Sequence, residues 1–225
     1  DTDNNGVIDS FKSVGVVDRD CAGEASVADG GDDCDDLNPM IRDGEYTSSG
    51  CGAGQYRYCE AGTYKTGPSG STASSGCTSA QLCERSTCYY VNPATGSGST
   101  CSWASPCADF TPLSDGGSIA IGGDTAIYLM GTGDVTDTNP APGSKNVTFR
   151  TEVAGTSSAL KNLVARYPGS TARLNPSGCA ANDCRKILLD HGNWTVRGFD
   201  ILGGNDEGIY AGGSNVEIKN NWIHD

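Results

Sequence analysis

Residues 193–203 read NWTVRGFDILG, and residues 215–225 read NVEIKNNWIHD. Superposed at an interval of 22 residues, Asn193 falls on Asn215, Val196 on Ile218, Arg197 on Lys219 and Ile201 on Ile223. Just upstream, Ile187 falls on Ile209, and NVTFR at residues 146–150 reads as a third, looser copy. A period of this length, with short β-rich runs and no helical stretch between them, is the pattern of a solenoid. One coil cannot bury its own inward side chains, whereas stacked coils form a continuous apolar column. The expected column is Leu188, Val196, Ile201, Ile209, Ile218 and Ile223. The Asn opening each copy suits a tight turn, because it tolerates left-handed backbone and can stack its amide on the Asn of the next coil.

Working outward, the β-rich pattern covers residues 89–225. The runs YYVNP, AIYLM, NVTFR, LVARY, KILLD, WTVRGFDIL, GIYAG and VEIKNNWIH are separated by Gly, Asn, Asp and Pro. The segment PCADFTPLSDGGSIAIGGD suits a short amphipathic helix or cap. Residues 46–88 are rich in Gly, Ser, Thr and Cys, and form either a spacer or a small disulfide module around Tyr56, Tyr58 and Tyr64. Residues 1–45 hold 13 acidic and 3 basic side chains, and so carry most of the net charge of −13. They have too few large apolar residues to fold without ions, disulfides or a neighbour.

Eleven cysteines point to disulfides in an oxidising compartment, the periplasm or outside the cell, and the expected location is extracellular or at the cell surface. Local spacing suggests Cys101 with Cys107 and Cys179 with Cys184, and makes Cys21 with Cys34 a further candidate pair. Connectivity among Cys51, Cys59, Cys77, Cys83 and Cys88 stays open. The odd count implies a free thiol, or a partner elsewhere. No apolar run of membrane-spanning length exists. With no basic stripe, nucleic acid is not an expected partner.

The opening DTDNNGVID places oxygen ligands at Asp1, Asp3, Asn5 and Asp9, with the Val7 carbonyl available and Gly6 at the sharp turn. This is the spacing of an EF-hand-like calcium loop. Lys12 stands where that loop carries a bidentate Glu, so Asp18, Asp20 or the cluster of Asp33, Asp35 and Asp36 must complete the shell. Ca2+ is the expected cofactor; the alternative is a solvated acidic tail. His191 and His224 read as turn or groove residues. Asp190, Asp200, Asp206, Glu207 and Asp225 surround the coil turns, where paired carboxylates suit glycoside hydrolysis or an ion bridging an acidic sugar. Arg197 and Lys219, one coil apart, should stack on one face, as a contact for an acidic sugar or as solvated outward charge.

Residues 88–225, about 60 % of the chain, resemble the N-terminal half of a pectate-lyase-like right-handed parallel β-helix of the secreted bacterial type. The resemblance rests on YYVNPATGSGS, SPCADF and GIYAGGSNVEIKNNWIHD. It implies an all-β solenoid whose cap and first coils span 89–225, preceded by a loop-dominated, calcium-binding, disulfide-rich segment. Residues 1–45 resemble thrombospondin type 3 repeats and the DCDDxNP motif of bacterial surface proteins, on Asp1, Asp3, Asn5 and Asp9, then Asp33, Asp35, Asp36 and Asn38.

Two functions follow. One is a structural, adhesive or glycan-contacting solenoid, including a self-assembling fibre subunit, with a further stretch of chain or another copy covering the open coil edge. The other is a polysaccharide lyase, or related carbohydrate-active enzyme, whose catalytic coils lie beyond residue 225. The fold family hosts both, so fold does not choose between them.

Overall fold

The computed structural model describes residues 12–13, 16–17, 31, 34, 46–52, 55–60, 63–65, 77–78, 81–136, 139–141, 145–151, 153–156, 161–175, 184–202 and 208–224. The chain divides into two compact units, Asp1–Ala80 and Gln81–Asp225.

In the first unit, β1 (Lys12–Ser13) pairs antiparallel with β2 (Val16–Val17). A second antiparallel sheet joins β3 (Tyr46–Thr47), β4 (Arg57–Glu60) and β5 (Thr63–Lys65). Its apolar content is small. Tyr46 packs on Tyr56 and Tyr58 with ring centroids 5.6 and 4.8 Å apart, and the Arg57 guanidinium sits over the Tyr64 ring. Covalent bonds supply what so few rings cannot: Cys34 is joined to Cys59, and Cys51 to Cys77. Cys34 therefore does not pair with Cys21, its expected partner. The buried Cys59 on β4 brings Cys34 to the sheet, where nearness in sequence favoured Cys21.

The second unit is almost entirely β. Its strands are β6 (Thr87–Val91), β7 (Thr125–Leu129), β8 (Asp134–Val135), β9 (Asn139–Ala141), β10 (Lys145–Arg150) and β11 (Asn162–Arg166). They continue with β12 (Arg173–Leu174), β13 (Cys184–Leu189), β14 (Trp194–Arg197), β15 (Asp200–Leu202), β16 (Ile209–Ala211), β17 (Glu217–Lys219) and β18 (Trp222–His224). Three sheets result. The first runs β9-β10-β13-β16, the middle β6-β7-β11-β14-β17, and the third β8-β12-β15-β18. All neighbours are parallel except β9 with β10.

The sequence repeat becomes strand register. Ile187 lies opposite Ile209, Val196 opposite Ile218, and Ile201 opposite Ile223. Ile127, Val164 and Val196 of the middle sheet, Val135, Leu174 and Ile201 of the third, and Phe149, Ile187 and Leu189 of the first share one apolar cluster. Leu188 is not in it; by the pleat it takes the opposite face from Ile187 and Leu189, which fill the column instead. Ile218 and Ile223, on edge strands, are 49 % and 51 % exposed. Residues 146–150 also differ from expectation. They pair with β13, with Phe149 opposite Ile187, and it is β11 that lies in line with β14, Val164 opposite Val196.

Corners are set by left-handed residues. Asn193 and Asn215 have φ of 59° and 57°, and the next corner uses Gly198 and Asn220 at 74° and 51°. Glycine lacks the Cβ that resists this backbone, and Asn is the side chain that tolerates it best. The segment before β7 supplies a single 3-10 turn, Thr111–Leu113, rather than an amphipathic helix. Phe110, Leu113 and Ile121 around it enter the core. Cys101 is bonded to Cys107 and Cys83 to Cys88.

Candidate functional site

Inward Ile201 and Ile223 dictate what faces out on the third sheet. By strand alternation, Asp200 and Trp222 before them, and Leu202 and His224 after them, point away from the core. The same logic turns Asp134, Arg173 and Asn175 outward beside buried Val135 and Leu174. These side chains are tied together. Arg173 Nε donates to Asp134 Oδ1 at 3.1 Å, and Asn175 Nδ2 donates to Asp134 Oδ2 at 2.5 Å. His224 Nε2 lies 2.9 Å from Asp200 Oδ1. The Trp222 ring stacks on the His224 imidazole at 3.8 Å and 23°, and Trp222 is 58 % exposed. Arg166, the last residue of β11 in the middle sheet, has its guanidinium pulled below its usual range by burial, opposed by the Asp200 charge. The ensemble is an exposed aromatic plate beside paired acids and bases. It can stack on the apolar face of a sugar ring and exchange hydrogen bonds with its hydroxyls and carboxylate.

The middle sheet holds the residues expected to stack as cations. Arg197 and Lys219 are in register, but carboxylates stand among them. Arg197 Nη2 donates to Glu84 Oε2 at 2.6 Å, and Lys219 Nζ lies 3.5 Å from Glu217 Oε2. Glu217 also takes a 2.9 Å ion pair from Lys161. That bond holds its carboxyl below the usual range against the opposing effect of burial, with Lys219 adding to the lowering. On the first sheet, Asp190 accepts from Arg150 Nε at 2.8 Å. His191 Nδ1 lies 3.1 Å from the Thr151 carbonyl; since a carbonyl only accepts, Nδ1 is the donor, and His191 serves as a turn residue.

Asp1, Asp3, Asn5, Val7, Asp9, Asp18, Asp20, Asp33, Asp35 and Asp36, the expected calcium ligands, lie outside the described residues. So do Cys21, Cys179, Asp206, Glu207 and Asp225. Among the described residues no group of three or more His, Cys, Asp or Glu could hold a metal ion. Asp134, Arg166, Arg173, Asn175 and Trp222 were not singled out from sequence. The alternation of WIHD about Ile223 carries the signal for Trp222; the others are brought in by neighbouring strands.

No protein-family model matches the chain, and no solved structure matches it. Over 82 residues it is 35 % identical to pectate lyase L of Paenibacillus polymyxa (strain SC2). Those residues are 36 % of this chain and 18 % of that protein, so the chain spans less than a fifth of this relative's length. No helix among the described residues is long and apolar enough to cross a membrane.

Proposed function

We propose that residues 81–225 form the cap and first coils of a right-handed parallel β-helix that contacts an acidic polysaccharide through the outward face of its third sheet. The observation that carries this reading is the exposed Trp222, stacked on a His224 whose other partner is Asp200. The pectate lyase likeness supports a carbohydrate as the ligand class. Disulfides support an extracellular or cell-surface setting. The acidic segment 1–45 is assigned to calcium on the ligand spacing of residues 1–9.

Affinity electrophoresis and calorimetry with polygalacturonate test the reading. The chain binds, and Trp222→Ala weakens binding several-fold, as loss of a stacking contact worth about 1 kcal/mol requires. Absence of binding, or a Trp222→Ala variant equal to wild type, rules the reading out. A second reading, resting on the pectate lyase likeness alone, is a polysaccharide lyase or related carbohydrate-active enzyme whose catalytic coils lie beyond residue 225, acting on the same polymer. Ultraviolet absorbance of an unsaturated product would reveal it.

A further inference from the structure

Residues 81–86 lie as a strap on the outward side of the middle sheet, opposite the core row of Ile127 and Leu129. Three tyrosine hydroxyls from successive coils hold it. Tyr90 Oη donates to the Leu82 carbonyl at 2.8 Å, Tyr167 Oη accepts the Leu82 N–H at 3.1 Å, and Tyr128 Oη accepts the Glu84 N–H at 3.2 Å. Tyr128 then donates to Glu84 Oε2 at 2.8 Å, and Arg197 Nη2 donates to the same oxygen at 2.6 Å. The Glu84 and Arg197 side chains are each only 15 % exposed. Beside this pair Arg85 Nε reaches the Lys161 carbonyl at 2.6 Å. The Cys83–Cys88 disulfide ties the strap to β6, and Cys83 itself is exposed.

We propose that the strap is a built-in occupant of a carboxylate site. The Glu84 carboxylate, held between the Tyr128 hydroxyl and the Arg197 guanidinium, takes the place of a carboxylate of an acidic polysaccharide, and the Cys83–Cys88 bond is the clasp that keeps it there. The identity of the ligand rests on the reading given under Proposed function; the clasp does not.

The Arg197 guanidinium, only 15 % exposed, needs a counter-charge at this point, and a side-chain amide oxygen in place of the carboxylate would leave it uncompensated. A planar guanidinium beside a phenol is well suited to fixing a carboxylate in one orientation, and when the strap lifts away that place falls to a carboxylate of the ligand. Arg197 is in register with Lys219, so a polymer with repeating carboxylates meets a second cation one coil on. Opening is a thiol–disulfide exchange. A dithiol supplies two electrons and two protons, the Cys83–Cys88 S–S bond breaks into two thiols, and the dithiol closes its own disulfide. The exposed Cys83 is reachable, whereas Cys101 and Cys107 are 0 % and 1 % exposed, so the clasp opens before the Cys101–Cys107 bond.

The test uses the full chain, wild type and with Cys83→Ser and Cys88→Ser together, alone and combined with Arg197→Ala. Hydrogen exchange of the peptide covering residues 81–86 reports the strap, and polygalacturonate titration reports the site. The expected result is exchange about tenfold faster without the clasp, polygalacturonate binding about tenfold tighter, and loss of that gain in the Arg197→Ala combination. If the clasp-free strap stays protected, the clasp assignment is overturned. If it opens and binding does not tighten, the carboxylate site is overturned, even where wild type binds through the third sheet. Should the serine variant fail to fold, limited dithiol treatment of the native chain with alkylation mapping decides. Cys83 and Cys88 must be alkylated before Cys101 and Cys107, and the same two readouts apply.

Discussion

The Asn215 side-chain amide donates to Asn193 Oδ1 across 2.6 Å, joining two residues that occupy the same corner 22 positions apart. Asn193 in turn donates to the Gly155 carbonyl at 3.1 Å. Both Asn residues are left-handed, so the residue type that tolerates the corner also supplies the bond between corners.

Replacing Asn193 separates these two roles. Asn193→Ala loses the amide bonds and strains the backbone, and should lower stability by about 2–3 kcal/mol. Asn193→Gly keeps the backbone and loses only the bonds, about 1 kcal/mol. Urea denaturation of the two variants checks the order; equal losses would contradict it.

Trp194 is fully buried, meets Phe149 edge-on at 5.6 Å, and donates Nε1–H to the Val153 carbonyl at 2.8 Å. Trp194→Ala should cost about 3–5 kcal/mol by emptying the column. Trp194→Phe retains most of the packing, leaves that carbonyl without its donor, and should cost about 1–3 kcal/mol. Thermal melts followed by near-ultraviolet dichroism rank them.

The Glu217 carboxyl is held low, chiefly by Lys161. A depressed carboxylate contributes stability in full above its unfolded pKa of about 4.3, and that contribution fades as pH falls through the lower folded value. Wild type should therefore lose more stability on acidification below about pH 4 than Glu217→Gln does. The Glu217 side chain is 41 % exposed, so solvent and salt screening keep the difference small, and it should shrink further at high salt. Melting temperatures across the acid range, at two salt concentrations, measure it.

The calcium assignment of residues 1–45 predicts heat on titration with Ca2+ and a lower melting temperature after chelation. Asp3→Ala with Asp9→Ala should abolish the heat and leave the stability of residues 81–225 unchanged. Absence of heat in the wild-type chain, with no change in melting temperature on chelation, would return the segment to a solvated acidic tail, and unchanged heat in the variant would exclude Asp3 and Asp9 as ligands.

Which way most side chains point in the repeated strands was legible in the sequence. Val196, Ile201, Ile218 and Ile223 stand at inward positions because a strand alternates faces residue by residue, and the 22-residue interval sets one copy over the next. Leu188 was misplaced by one position, because an unbroken apolar run such as ILL hides its phase. The third sheet's outward plate was half legible: Trp222 follows from the same alternation, but Asp134 and Arg173 come from coils whose intervals are irregular.

The sequence by itself determined the repeat, its Asn corners and the Cys101–Cys107 bond, all of which depend on residues close together in the chain. Only the tertiary structure decided that residues 146–150 lie in line with β13 and not β14, because loop lengths between strands choose the neighbour and identical β-rich runs do not reveal them. It alone joined Cys34 to Cys59, and it alone set Glu84 against Arg197 across 113 residues. Such partners meet when sheet pairing has brought distant strands and a returning strap to the same face, and no local period encodes that meeting.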